Sequence, residues 1–175
     1  MKHGSLVPAS LGVAAAALAL SAPAAARTIQ GWEVGPNRDL CMMQSSFQDN
    51  VTLAFVWHPQ SGELGFMAAG EGWTELVGQQ GKPATIEITF DGGVPPADWI
   101  DEGAHVVLMR DREGVVGGWG SEHSDELANA ATHATGVTVR VGKRDLGIFD
   151  LSGVPAAYRE LMRCGKQFTP VQASR

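Results

Sequence analysis

Ala84-Thr85-Ile86-Glu87-Ile88-Thr89-Phe90 decides the fold class. Ala84, Ile86, Ile88 and Phe90 fall on one side of an extended chain, and Thr85, Glu87 and Thr89 on the other. That period of two is the pattern of a half-buried strand. Asp91-Gly92-Gly93 stops it.

Upstream, Val51, Leu53, Phe55 and Trp57 alternate in the same way. Pro59-Gln60-Ser61-Gly62 turns the chain, and Leu64, Phe66 and Ala68 form a returning strand. This pair predicts a hairpin. Earlier still, Trp32–Val34 and Leu40–Ser45 predict strands joined by Gly35-Pro36-Asn37. Downstream, His105–Met109 and Gly114–Trp119 flank Asp111-Arg112-Glu113-Gly114. Val137, Val139 and Val141 alternate with Thr138 and Arg140 and turn at Gly142-Lys143 into Leu146–Leu151.

Two late segments carry a helical period instead. Ser124 is a capping residue, Asp125 and Glu126 suit the positive end of a helix dipole, and Leu127, Ala130, Ala131 and Ala134 form an apolar stripe. Gly136 is the expected stop. The second helix spans Val154 to Cys164, with Pro155 in its first turn. Ala157, Leu161 and Cys164 stand at i, i+4 and i+7 on one face, so Cys164 points toward the core. The fold expected is α+β: mostly antiparallel β, as a β-sandwich or curved β-roll, with two short helices late in the chain.

Cys41 and Cys164 are the only cysteines. A pair in an exported chain forms a disulfide, here tying an early strand to the last helix. Export itself is written at the start of the chain. Lys2 and His3 precede a mostly apolar run from Leu6 to Leu20, followed by Ser21-Ala22-Pro23-Ala24-Ala25-Ala26. A basic start, a short apolar segment and small residues before a cut form a secretory signal. The run is shorter than the roughly 20 residues that cross a bilayer. Residues 1–26 are therefore expected to be a cleavable signal peptide, and 27–175 a single disulfide-closed domain, periplasmic or secreted and without stable membrane insertion.

Of the 13 Lys and Arg, only Lys2 lies in the leader. The remainder of the chain sets 12 of them against 19 Asp and Glu, a net charge of −7. Nucleic acid is excluded as a partner because phosphate contacts rest on Lys and Arg, and anionic lipid surfaces are disfavoured for the same reason.

The sequence offers little catalytic chemistry. His58, His105, His123 and His133 follow no zinc spacing, and the cysteines have no nearby ligand partners. Ser121, His123 and Asp125 alternate before a helix, but a nucleophile, base and orienter need a spatial arrangement that such spacing does not supply. The Gly70-Glu71-Gly72 and Gly117-Gly118-Trp119-Gly120 segments lack the Lys-Ser or Lys-Thr of a phosphate loop. No catalytic residue, metal site or cofactor is expected. The five tryptophans are more suggestive. Trp57 belongs to a strand face, whereas Trp73, Trp99 and Trp119 lie beside loop or glycine residues. These three are the candidate ligand-binding side chains, exposed rings able to grip a sugar, a peptide or a protein.

The stretch Ser124–Tyr158 has a short helix ending in Thr135-Gly136, a Val137-Thr138-Val139-Arg140-Val141 strand, and Phe149-Asp150-Leu151-Ser152-Gly153-Val154-Pro155-Ala156-Ala157-Tyr158. This C-terminal third resembles the invasion-associated locus B family of small exported bacterial proteins, and Trp32 followed by Cys41 fits the same pattern. The chain lacks that family's central cysteines, and Cys164 lies beyond the matching stretch. The resemblance implies a β-rich envelope or secreted domain and transfers no site residues. The function expected is non-catalytic binding of a protein or envelope component. Inhibition of an exported hydrolase, a protease or lysozyme, is the alternative, and a hydrolase with an unrecognised His/carboxylate site a third.

Overall fold

The computed structural model describes residues 26–92, 98–101, 103–109, 112–119 and 121–168. The expected leader lies outside them except for Ala26. The α+β class expected from the sequence is what the chain adopts: antiparallel strands in two sheets, with two short helices late in the chain.

The larger sheet has seven strands in the order β1-β2-β3-β4-β5-β9-β8. They are β1 (Arg27–Ile29), β2 (Trp32–Asn37), β3 (Leu40–Ser46), β4 (Thr52–His58), β5 (Glu63–Gly70), β8 (His105–Met109) and β9 (Arg112–Trp119). The smaller sheet runs β11-β10-β6-β7, from β6 (Ile86–Asp91), β7 (Asp98–Asp101), β10 (Gly136–Val141) and β11 (Arg144–Asp150). In β6, Ile86, Ile88 and Phe90 are buried, as the alternation requires, and Ala84-Thr85 lies just ahead of the strand.

The main core lies between the sheets. Phe55 and Phe66 stack edge to face at 5.1 Å, and Phe47 meets Phe149 of the smaller sheet at 5.0 Å. Helix α2 (Val154–Gly165) packs across β2, β3 and β4, while α1 (Ser121–His133) packs on β5, β9 and α2. Val154, Ala157, Leu161 and Cys164 are the buried face of α2. Cys41 and Cys164 are bonded, with their Cα atoms 6.0 Å apart. Among the described residues no helix is long and apolar enough to cross a membrane.

Three local expectations are corrected. Gly35-Pro36-Asn37 is not a turn but the end of β2, and the chain reverses at Arg38-Asp39, with Arg38 at φ 59°. Pro36 is tolerated because β1 pairs no further than Val34, so among the described residues the missing N–H faces no neighbouring strand on that side. Ser124 does not cap α1, which starts at Ser121. It lies within the helix, buried, and its Oγ accepts the Leu64 N–H at 2.9 Å. Gly136 does not close α1 but begins β10, after the link Ala134-Thr135.

Candidate functional site

Every strand has two faces, and the second face of the large sheet is the unusual one. Leu53, Phe55, Phe66 and Val115 point into the main core. The alternate residues on the same strands point the other way. Cross-strand register aligns them in rows. One row runs Glu33, Gln44, Ala54, Met67, Val116, His105; the next runs Gly35, Met42, Val56, Gly65, Gly118.

Ala54, Val56 and Met67 are buried as a separate apolar cluster, with Leu40, Met42, Val107 and Val116 packed against it. Leu40, Met42, Val56, Met67, Val107 and Val116 floor a groove of about 770 Å³ whose lining runs from β2 to β8. Because one cavity spans these strands, this face of the sheet is concave. Gly118 supplies depth, whereas a Cβ on Gly35 would meet the Ala26 Cα at 2.9 Å. A Cβ on Gly118 would meet nothing within 4 Å, whereas one on Gly65 would come 3.0 Å from the Gly117 carbonyl oxygen.

Polar groups are few and placed at the margins. Gln44 is only 5% exposed. Its Nε2 donates to Glu33 Oε2 at 2.8 Å, and its Oε1 is buried with no hydrogen-bond partner. At another corner His58 and Glu63 are register partners, with Glu63 accepting from Ser61 Oγ at 2.9 Å. His105 stands on β8. Glu33 and Glu63 are in the lining, and among the described residues no Lys or Arg is.

The tryptophans expected to grip a ligand are elsewhere. Trp73 is 3% exposed and Trp99 9%. Trp73 packs where a Cβ on Gly70 would come 2.5 Å from its Nε1, under the Arg144 guanidinium at 5.8 Å from the ring centroid. Trp99 pairs with Ile88 across the smaller sheet and joins the core. Both are corrected as exposed binding rings: their large apolar area is buried instead. The Trp119 side chain lies outside the described atoms.

His123 and Asp125 are not brought together. On a helix, positions i and i+2 lie about 200° apart, so His123 and Asp125 diverge, and His123 Nδ1 faces Glu126 Oε2 at 3.5 Å instead; the Ser121 side chain lies outside the described atoms. His133 Nδ1 meets the Asn129 carbonyl at 2.8 Å. Among the described residues no cluster of His, Cys, Asp and Glu has the form of a metal site.

The groove was missed in the sequence because only one face of each strand was followed. Its signal is present: Leu53-Ala54-Phe55-Val56 and Leu64-Gly65-Phe66-Met67-Ala68-Ala69 are apolar on both faces. An antiparallel sheet with one solvated face alternates apolar and polar, so these strands mark a second sheltered surface. No family model, no curated protein and no solved structure matches this chain.

Proposed function

We propose that this protein is an exported, non-catalytic binding protein whose concave groove holds an apolar component of the cell envelope. One observation carries the reading: a buried apolar floor on the face of the sheet opposite the core, beside a buried acceptor with no partner. Ligand sites are concave, mostly apolar and oriented by a few polar groups, typically in about 300–1,000 Å³. Export is supported by the leader-like sequence of residues 1–26 and by the Cys41–Cys164 bond, since disulfides persist in oxidising compartments. The resemblance of the C-terminal third to the invasion-associated locus B family points toward the envelope as well.

The test is capture from a lipid extract of the envelope, read by native mass spectrometry. The wild type should carry an apolar adduct. Gly118→Leu, which fills open space in the groove, should lose it without loss of stability. An absent adduct, or one kept by the variant, refutes the reading.

A second reading has its own support. Residues 71–82 form a segment anchored by buried Trp73 and by the two hydrogen bonds from Arg144 to Glu75, at 2.8 and 3.0 Å. Val77 on this segment is 57% exposed, next to Gly78. A stiff loop presenting an apolar side chain suits inhibition of an exported protease or lysozyme, because it loses little entropy on binding. Inhibition assays with Val77→Asp as control decide it; equal inhibition by both proteins, or none by either, removes this alternative.

A further inference from the structure

Resting on the groove as a ligand site and on cleavage after Ala26, we propose that the leader is the groove's first occupant, so that ligand enters only once export has removed it. Ala26 puts the cleavage point inside the groove. Val34 is buried in the core, so its β1 partner Arg27 belongs to the core side of the sheet, and Ala26 and Thr28 fall on the other side. Ala26 is accordingly part of the groove lining. It sits on Gly35: the three atoms nearest to a Cβ built there are Ala26 Cα, Cβ and N, at 2.9, 3.0 and 3.4 Å. Gly35 is the β2 member of the row that continues through Met42, Val56, Gly65 and Gly118. Ala26 therefore covers one end of that row.

Connectivity and apolarity supply the occupant. Leu6–Leu20 is the apolar part of the leader, and Leu20 precedes Ala26 by six residues. Six residues reach about 20 Å when extended, and the four strand spacings from β2 to β9 amount to about 19 Å. The apolar end of the leader is thus within reach of the whole row, where Met42, Val56, Met67 and Val116 offer an apolar floor. A tethered segment competes at an effective concentration of about 1 mM, above that of a dilute free ligand. Hydrolysis of the Ala26–Arg27 peptide bond adds water across it, leaving a carboxylate on Ala26 and an ammonium on Arg27. Ala26 departs with the leader, and Gly35 is uncovered. Arg27 stays, held by its pairing with Val34 and by its guanidinium 3.4 Å from Glu160. Processing opens the groove and leaves its wall in place.

Titration with N-phenyl-1-naphthylamine, a dye that fluoresces in apolar surroundings, tests this on monomeric, disulfide-bonded protein. The exported protein beginning at Arg27 should bind the dye, and Gly118→Leu in that form should abolish binding. The full chain, synthesised without membranes so that the leader stays on, should bind about 10-fold more weakly, as a tethered competitor of about 0.1 mM intrinsic affinity at about 1 mM produces. Leu11→Asn, Leu18→Asn and Leu20→Asn together in the full chain should restore binding to within about 3-fold of the processed protein, because the competitor loses its apolar contacts. If the full chain binds as tightly as the processed protein, the groove stands and the leader assignment falls. A full chain that stays weak with the polar leader, or an exported product that keeps Ala26, also overturns it. If the processed protein binds no dye, or binds it equally with Gly118→Leu, the groove reading fails along with the assignment.

Discussion

Breaking the Cys41–Cys164 bond should cost the protein a large share of its stability. The crosslink joins residues 123 apart, β3 to the last turn of α2. In the chain-entropy treatment, a loop of that size restricts the unfolded chain by about 5 kcal/mol. Total stabilities of domains are commonly about 5–15 kcal/mol, so the bond decides whether the fold survives warming. Strain should subtract little, because the Cα separation of 6.0 Å lies at the common value for disulfides. Urea unfolding in the presence and absence of reductant measures it. With a slope of about 2 kcal/mol per molar, the midpoint should fall by roughly 2.5 M. The slope itself should rise, because the open chain exposes more surface when it unfolds. Cys41→Ala with Cys164→Ala should reproduce the reduced protein and lose slightly more, since Cys41 is fully buried and its sulfur fills core volume. A midpoint that shifts by less than about 0.5 M, equivalent to roughly 1 kcal/mol, would refute the claim that the crosslink closes the domain.

Gly70→Ala should destabilise by about 1–3 kcal/mol, because its Cβ would overlap the Trp73 ring, whereas Gly118→Ala, in open space, should leave the melting temperature unchanged; equal melting temperatures for the two variants would contradict the packing argument. Tyr158 has its phenol pKa raised, first by burial and then by the charge of Asp125. The folded state therefore favours the neutral phenol. That contribution is complete below about pH 10, the ordinary tyrosine range, and is lost as pH rises through the folded value. Tyr158→Phe should accordingly flatten the alkaline fall in urea midpoint, and an unchanged fall would dismiss the effect. Glu75 has its pKa lowered, chiefly because Arg144 donates to its side chain, so the pair stabilises at neutral pH and fades as pH falls through the acid range. Arg144→Lys should cost only about 0.2–1 kcal/mol, as exposed pairs do, but should speed proteolysis within residues 71–82. An unchanged cleavage rate would show that Trp73 alone anchors the segment.

How much was legible depended on whether a residue's partner was near in sequence. The hairpin of β4 and β5 and the pairing of β10 with β11 follow from alternation and local turns. So does the inward aim of Cys164, because three positions of one helix face suffice to orient it. Pro36 misled because its acceptability in β2 depends on how far β1 extends, a fact of register rather than of composition. Ser124 misled because its hydroxyl meets the Leu64 N–H, 60 residues away in sequence. Loop tryptophans carried the same ambiguity: nothing beside Trp73 in the chain reveals that Gly70 makes room for its ring and that Arg144 covers it. The groove's polar corner was the least legible part. Gln44 and Glu33 meet only through pairing of β2 with β3, and a lone glutamine in an apolar strand reads as an ordinary surface residue.

Strand β3 joins the stability of the fold to the shape of the groove. Cys41 and Met43 point into the core, and Met42 and Gln44 line the groove, on alternate positions of one strand. The disulfide holds the core side of β3 against α2, and α2 also packs on β2 and β4. The wall that carries Glu33, Met42 and Gln44 is thus backed by a helix and a covalent link, while the floor on β4 and β5 is fixed by register in the middle of the sheet. A strand close to one edge would otherwise be the place where such a sheet loosens first. Placing the crosslink there braces the strand that carries Met42 and Gln44. Oxidation therefore does more than slow unfolding: it holds one wall of the groove against the core and α2.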